Sequence, residues 1–338
     1  MRWARYHFYR MDAGQTTYVD NAGTPVPREL RVEEPTTGTG RGYRFQDNPY
    51  PDPVYDQVDA FFDPGSQFTN SVTMAQRTSK TNWFAAFGNH RSAGVIDGQG
   101  WYRRNDIRLN LDHQLRNALT VSLSGYYARS VRDELEGNTF FDLVNIAPDV
   151  DLRQPDPDGT PYIFQPDLFG IRANPLYKNA TEAEWTARGR FLGNATVRYT
   201  PTGWLSLEGN ASYDRSDRFQ SYFLDRGLKS DQYQDGGPGF IDQENEYADA
   251  LNASASATVT RQVGATSFRT MLRALIEREN NNETQAGGQD LAVVGLPDLT
   301  NATVRSNLNS IFRDIRASGY FVITGVEHAG KYILDGLV

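Results

Sequence analysis

Cysteine is absent from the 338 residues of this sequence, which excludes disulfide frameworks, thiol nucleophiles and cysteine-based zinc sites. No apolar run approaches the roughly 18–20 residues that a membrane-spanning helix requires. Acidic residues outnumber basic ones by 42 to 34, for a formal net charge of −8. Nucleic acid is therefore not an expected partner. Because these sums describe only a polar, acidic chain, the fold has to be read from the order of the residues.

The strongest pattern in the sequence is a strict alternation of apolar and polar residues. From Leu251 to Thr260 every second residue is Leu, Ala or Val, and the residues between them are Asn, Ser or Thr. A period of two is typical of β-strands, because successive side chains of a strand point to opposite faces. The same pattern recurs along the chain and predicts about ten strands, near residues 68–77, 81–88, 101–112, 119–130, 187–199, 204–216, 248–260, 266–277, 306–324 and 331–338.

The predicted strands are long, and their connections alternate between short and long. Many strands reach the roughly 9–11 residues that a tilted membrane-crossing strand needs. Short turns alternate with predicted loops at 89–100, 131–186, 217–247 and 278–305. Outer-membrane barrels are connected in this way, with tight periplasmic turns and large external loops. The sequence therefore predicts an all-β fold, an antiparallel transmembrane β-barrel portion of about ten strands from a larger barrel, with long extracellular loops.

A search for reactive or metal-binding groups finds no catalytic residue, metal site or cofactor site. The segment Gln154–Gln165 places Asp156, Asp158 and Gly159 at calcium-loop offsets, but glutamine stands at both ends where strong ligands are needed. We interpret it as an Asp- and Pro-rich turn. The four histidines are far apart, and no carboxylate pair stands out as an acid and base. We therefore expect a protein that is not an enzyme and that has no cofactor.

Several segments resemble SusC/RagA-type TonB-dependent outer-membrane transporters, in the order in which that family presents them. The resemblance covers roughly residues 45–338. The segments that carry it are Ser79–Phe87, Ala93–Ile96, Tyr102–His113, Leu119–Ser130, Asn174–Tyr177, Arg190–Asn194, Gly203–Leu207 and Lys331–Asp335. The resemblance implies a barrel that is closed by a plug and energised through TonB. It also implies import of glycans or peptides, together with a SusD-like surface lipoprotein.

The family uses about 22 strands around a plugged lumen, and about ten are predicted here. The signal peptide, the plug and the TonB-contacting segment of the family have no counterpart in this sequence. We therefore expect part of a transporter of the bacterial outer membrane, in contact with its lipid and reaching TonB through the missing parts. Residues 1–66, rich in proline and glycine, are predicted to be an irregular plug-to-barrel connection, and residues 67–338 the partial barrel.

The ligand contacts are expected in the long loops and on the face that lines the lumen. Trp185, Tyr162 and Tyr177 are the predicted aromatic platforms for an oligosaccharide or peptide ligand. The alternative from a different class is a soluble all-β carbohydrate-binding or adhesin module. That alternative requires a second sheet packed on the apolar face, where Val, Ile, Leu and Phe are usual. The many Ala, Gly and Tyr residues of this face argue against it.

Overall fold

The computed structural model describes residues 55–134, 139–146, 150–166 and 173–338, together with two short paired segments, β1 (Arg2–Trp3) and β2 (Arg10–Met11). The rest of the predicted connection over residues 1–54 lies outside the described residues. Ten further strands form the bulk of the fold: β3 (Gln67–Arg77), β4 (Thr81–Ala93), β5 (Trp101–Arg116), β6 (Leu119–Asp133), β7 (Glu182–Thr202), β8 (Leu205–Leu224), β9 (Phe240–Val263), β10 (Thr266–Leu291), β11 (Ala302–His328) and β12 (Tyr332–Leu337).

The ten strands form a single antiparallel sheet in which each strand pairs with the next along the chain, from β3 to β12. This confirms the predicted all-β fold and all ten predicted strands. The sheet is open within the described residues, with β3 and β12 as its edges. Short turns lie at one end, which we name the short-turn end. The connections 94–100, 134–181, 225–239 and 292–301 lie at the other, the long-loop end.

The predicted extent of two loops was wrong. Most of the predicted loops 217–247 and 278–305 continues the strands, so that β9, β10 and β11 contain 24, 26 and 27 residues. On β10 the reason is that the run from Arg278 to Gln285 is polar on both faces, which removes the alternation while the backbone ladder continues. On β8 and β9, residues 217–224 and 240–247 mix aromatic and polar side chains on both faces, which also breaks the alternation. Cross-strand contacts support the extension, such as Asn280 Nδ2 donating to Asp249 Oδ1 at 3.0 Å.

The register sorts the side chains of the sheet into two faces. One row of directly paired residues runs through Leu111, Leu123, Ala195, Ala211, Ala253 and Ile276. The neighbouring row on the opposite side runs through Asn110, Ser124, Asn194, Ser212, Asn252 and Glu277. Paired residues of an antiparallel ladder share a face, so the sheet has an apolar face and a polar face.

On the apolar face, the apolar residues are most continuous in a band of nine residues per strand near the short-turn end. We name this the apolar band; it comprises positions 119–127, 191–199, 205–213, 251–259 and 268–276 on β6 to β10. Beyond it polar residues enter the same face, and on β10 and β11 an ion pair joins Arg278 to Asp314 at 3.4 Å. Nine residues match the roughly 9–11 that a tilted strand needs to cross a bilayer.

The side chains of the apolar band are exposed. Leu123, Leu272 and Ile276 have 44%, 54% and 56% of their surface accessible. No second sheet of the described residues therefore covers this face, whereas the soluble alternative requires such a sheet. Aromatic residues lie at the margins of the band, with Tyr127, Phe191 and Tyr213 towards the long loops and Tyr199 towards the turns. Such placement is typical of side chains at a lipid–water boundary.

The buried core lies at the long-loop end, where three short helices pack together. They are α1 (Gln57–Phe61), α2 (Thr139–Asn145) and α3 (Pro175–Thr181), with a 3-10 turn at Leu299–Asn301. Buried apolar residues of the helices and of the segments after α2 form a cluster of Phe61, Leu143, Ile146, Val150, Leu152 and Leu176, and a second cluster contains Phe164, Ala173 and Tyr177. We name residues 139–146, 150–166 and 173–181 the cap. None of the helices in the described part of the chain is long and apolar enough to cross a membrane.

Candidate functional site

The polar face of the sheet is a wall of paired charges. Arg190 binds Asp214 on the next strand at 2.9 Å, and Arg198 binds Glu208 at 2.7 Å. Both pairs join directly opposed or neighbouring positions of β7 and β8. Exposed ion pairs of this kind contribute little to stability, but they keep the face strongly hydrated. A solvated wall opposite an apolar band is what a barrel lumen requires.

A cavity of about 350 Å³ opens on this polar face at the long-loop end, and we name it the loop-end cavity. The strands supply Tyr222 from β8, Phe240 from β9 and Gln289 from β10, and Glu182 lies at the start of β7. The Tyr222 and Phe240 rings lie 5.9 Å apart at an angle of 56°. The Tyr222 hydroxyl donates to Glu182 Oε2 at 3.2 Å. The cavity therefore combines aromatic faces with carboxylate and amide groups, a mixture suited to polar ligands with apolar patches.

The loop 225–239 forms one side of the loop-end cavity, and it is held by backbone hydrogen bonds. The amide of Gly227 donates to the carbonyl of Gly237, and the amide of Leu291 donates to the carbonyl of Pro238, both at 2.8 Å. Gly239 has a φ of +80°, and a Cβ there would approach the backbone nitrogen of Arg226 to 2.8 Å. Only glycine fits this position, so the loop returns sharply to β9 and closes against the end of β10.

The cap is fastened to the same loop by charged groups. Lys229 Nζ lies 2.7 Å from Asp156 Oδ2 and 2.7 Å from Asp158 Oδ2. Lys178 Nζ, on α3, contacts Asp231 Oδ2 at 3.0 Å and buried Asp142 at 3.8 Å. The hydrogen bonds from Asp156 and Asp158 raise the pKa of Lys229 to about 12, and the same ammonium lowers the pKa of Asp158. These contacts join cap and loop into one rim around the loop-end cavity.

The segment that shows calcium-loop offsets binds a side-chain cation from the loop 225–239. The ammonium of Lys229 sits between Asp156 and Asp158, in the position that a metal ion would take between two carboxylates. No group of three or more histidine and carboxylate side chains suited to a metal occurs in the part of the chain that the structure describes. The interpretation of this segment as a turn agrees with its contacts, because the Thr160 amide and hydroxyl both donate to Asp158 Oδ1.

The three predicted platform residues lie in different surroundings, and their ligand role stays a prediction. Tyr177 is fully buried in the cap, 5.1 Å from the ring of Phe164, and its hydroxyl accepts from the Lys229 amide at 2.8 Å. Tyr162 is half-buried against the two apolar clusters of the cap. Trp185 packs on Phe219 at 5.0 Å, on the same side of β7 as the apolar band and therefore opposite to the cavity.

Sequence reasoning did not find Tyr222, Phe240 and Gln289, because they lie in stretches that were predicted to be loops. The sequence did contain a usable signal, because residues separated by an even number of positions along a strand lie on the same face. Counting in steps of two from the polar positions of the alternating stretches, for example from Asn252 back along β9, reaches Phe240 on the same face. Continuing the strand period past the apolar band would have predicted which side chains line the polar face.

Taken together, the single antiparallel sheet, the exposed apolar band and the alternation of short turns with long loops give the chain the architecture of a segment of a transmembrane β-barrel wall. No protein-family profile and no curated protein matches the sequence. Among solved structures, the RagAB peptide transporter matches with a TM-score of 0.67 at 14% identity, over 85% of this chain and 33% of that one.

A second structure, the RagAB peptide importer in its 'open-open' state, matches with a TM-score of 0.67 at 13% identity, over 83% of this chain and 32% of that one. The ferric citrate transporter FecA reaches a TM-score of only 0.42 at 10% identity, over 78% of this chain and 33% of FecA. This chain therefore spans about a third of the RagAB chain it matches. The resemblance to SusC/RagA-type transporters is confirmed at the level of the fold.

Proposed function

We propose that the chain forms part of the wall of an outer-membrane importer of the SusC/RagA type, which takes up oligomeric nutrients with energy from TonB. The observation that carries this proposal is the apolar band, nine residues tall and exposed, on a sheet whose opposite face is charged. Water-exposed leucine and isoleucine in a continuous belt would be an aggregation hazard in a soluble protein. Lipid removes that hazard, because hydrocarbon requires only a non-polar outer surface.

In this proposal the short turns face the periplasm and the long loops face the outside of the cell. The polar face then lines the lumen, and the loop-end cavity lies where an incoming ligand first meets the barrel. A SusD-like surface lipoprotein would sit over the cap and the long loops. Contact with TonB would be made by other parts of the intact transporter, as the resemblance implies.

The proposed ligand is an oligosaccharide or a peptide. Both have hydroxyl or amide groups that Glu182 and Gln289 can bind, and both present apolar patches to the rings of Tyr222 and Phe240. The matching RagAB structures are described as a peptide transporter and importer, which favours peptides. Aromatic rings beside carboxylate and amide groups favour sugars equally.

The membrane placement is tested by paired arginine substitutions at adjacent residues of β6. Leu123→Arg places a charge at the middle of the apolar band, and we expect it to destabilise the vesicle-inserted chain by about 2–4 kcal/mol. Ser122→Arg places the same charge on the polar face, where water solvates it, and should cost little. The measurement is unfolding by denaturant of the 338-residue chain reconstituted in phospholipid vesicles.

Equal effects of the two substitutions would contradict the membrane placement. A chain that stays monodisperse and melts cooperatively in buffer without detergent would instead support the soluble all-β binding or adhesin module. The two variants also serve as controls for each other, because they are adjacent in the chain and introduce the same side chain.

A further inference from the structure

A trough runs along β9 on the apolar face, and its floor is made of small residues. Ala253, Ala255 and Ala257 follow one another at every second position of the strand, over about 14 Å. Gly209 on β8 and Ala274 on β10 pair directly with Ala255, so the floor is three strands wide at this level. Five neighbouring positions of the apolar band thus carry one carbon of side chain or none.

Larger side chains border this floor. Tyr199 and Leu207 lie on the β7 and β8 side, and Leu272 and Tyr320 lie on the β10 and β11 side. The depression they enclose has a volume of about 810 Å³. Tyr320 is 82% exposed, so its ring stands well above the alanine floor. The result is an elongated apolar trough open to the surroundings of the band.

Positive charge lies beyond one end of the trough. Along β9 the same face continues past Ala257 through Val259 to the exposed Arg261, about 14 Å further on. The short turns and their flanking residues, at 77–81, 114–119, 200–205, 261–266 and 328–332, contain five basic residues and no acidic one, although the whole chain has a formal charge of −8. The basic residues are Arg77, Lys80, Arg116, Arg261 and Lys331.

We infer that the trough holds one acyl chain of an anionic phospholipid of the surrounding membrane, with Arg261 at the level of its phosphate. This inference rests on the proposed membrane placement. A charge at one end of an apolar trough fits an amphiphile with a single anionic end. A peptide segment fits poorly, because its backbone N–H and C=O groups would lie unpaired against alanine side chains and lipid.

The test fills the trough and counts bound lipid. The 338-residue chain is inserted into vesicles of phosphatidylethanolamine and phosphatidylglycerol, extracted in mild detergent, and examined by native mass spectrometry. The original chain should retain one phosphatidylglycerol. Ala255→Phe should reduce that retention at least about tenfold, because a phenylalanine ring occupies the volume of several methylene groups. Ala85→Phe makes the same change in β4, on the same face but outside the trough, and should leave the retention unchanged.

A second pair of variants tests the headgroup contact. Arg261→Gln should abolish the preference for phosphatidylglycerol over phosphatidylethanolamine, because it removes the charge beside the trough. Arg269→Gln removes a nearby charge that lies on the polar face, and the preference should remain. Loss of the preference in both variants would contradict a specific role of Arg261.

The inference fails if Ala255→Phe and Ala85→Phe retain lipid equally, or if the inserted chain retains none. It also fails if Ala255→Phe leaves the lipid count unchanged but separates dimers into monomers, since a second copy would then occupy the trough. Protease protection of the same vesicles separates these outcomes from a failure of the proposed function. A chain that never inserts is digested completely and overturns both.

Discussion

At the scale of single residues, the two faces of the sheet determine which aromatic side chains can meet a ligand in the lumen. Phe240 lies on the polar face and lines the loop-end cavity. Trp185, the platform predicted from sequence, lies on the opposite side of its strand against Phe219. The sequence shows both as aromatic residues of the long-loop end, and only the register of β7 to β9 distinguishes them.

Substitution of Phe240 and Trp185 tests which face of the sheet binds the ligand. Phe240→Ala should weaken ligand binding about 10- to 100-fold, because a ring that a ligand covers contributes roughly 1.5–3 kcal/mol. Trp185→Ala should leave the affinity within about twofold. The measurement is titration calorimetry of the reconstituted chain against oligosaccharide and peptide pools. The reverse ranking would place the ligand on the other face and restore Trp185 as the platform.

At the scale of elements, the cap is the part of the fold that the sequence predicts least well. Its prolines and carboxylates indicated a long loop, whereas the described residues contain two short helices and a buried cluster. Helices of seven residues have no reliable sequence period. These helices are stabilised instead by packing between residues far apart in the chain, such as Phe61, Leu143 and Leu176 in the same buried cluster. The alternation of apolar and polar residues along a strand gives no information about such long-range packing contacts.

Asn174 illustrates how the cap is held together. It is fully buried, its amide nitrogen donates to the carbonyls of Leu152 at 2.8 Å and Ile163 at 3.0 Å, and its Oδ1 accepts from the Leu176 amide at the start of α3. Asn174→Ala should lower the local stability of the cap by about 2–4 kcal/mol, because it removes a helix N-cap and leaves two buried carbonyls unpaired. Amide exchange of α3 measures this loss.

Asn145→Ala is the matched control, since the exposed Asn145 side chain makes one hydrogen bond to the Phe141 carbonyl. It should change the stability of the cap by no more than about 0.5 kcal/mol. Equal protection of α3 in both variants would mean that the buried hydrogen bonds of Asn174 do not hold the cap.

The strands themselves were predictable wherever lipid or a solvated wall imposes a contrast between the faces. The alternation is unbroken over positions 205–213 and 251–259 of the apolar band, whereas Thr270, Met271 and Leu275 interrupt it on β10. All five strands were nevertheless found from sequence. Above the band the contrast ends, as in the run Glu277 to Gln285 on β10. Strand structure persists there because the neighbouring strands continue to pair, and a single strand's sequence does not show its neighbours.

At the scale of the whole molecule, cap and loop 225–239 are separate in the chain and joined by Lys229. The pKa of Asp158 is lowered in the folded state, so its contribution to this joint is complete above its unfolded value of about 3.9 and is lost as the pH falls below it. The pKa of Lys229 is raised to about 12, so its contribution is complete below about 10.5 and is lost at higher pH. Between these limits the joint should not depend on pH.

We expect the joint to weaken progressively as the pH falls below about 4, and to open only near the lowered pKa at which Asp158 is protonated in the folded chain. Because the chain has no native cysteine, spin labels can be attached at cysteines introduced for Arg153 in the cap and Gln232 in the loop. Pulsed electron resonance then measures the distance between them, which should lengthen in acid and should already be longer at neutral pH in Asp158→Asn. Asp298→Asn changes a carboxylate that accepts a hydrogen bond from the Thr300 amide, away from the joint. This variant should show the same distances as the original chain at each pH. An unchanged distance at all pH values would refute the role of the Lys229 joint.

In the proposed importer, the length of the strands beyond the apolar band has a consequence for where nutrients are first captured. On β10, residues 278–291 continue past the band, and fourteen residues of a strand tilted by about 40° rise about 35 Å. The strand segments beyond the apolar band would thus form a collar around the mouth of the lumen. The height of this collar above the headgroups would be about equal to the thickness of the hydrocarbon layer. A ligand could then be caught without approaching the lipid, by a docking partner resting on the collar instead of the bilayer.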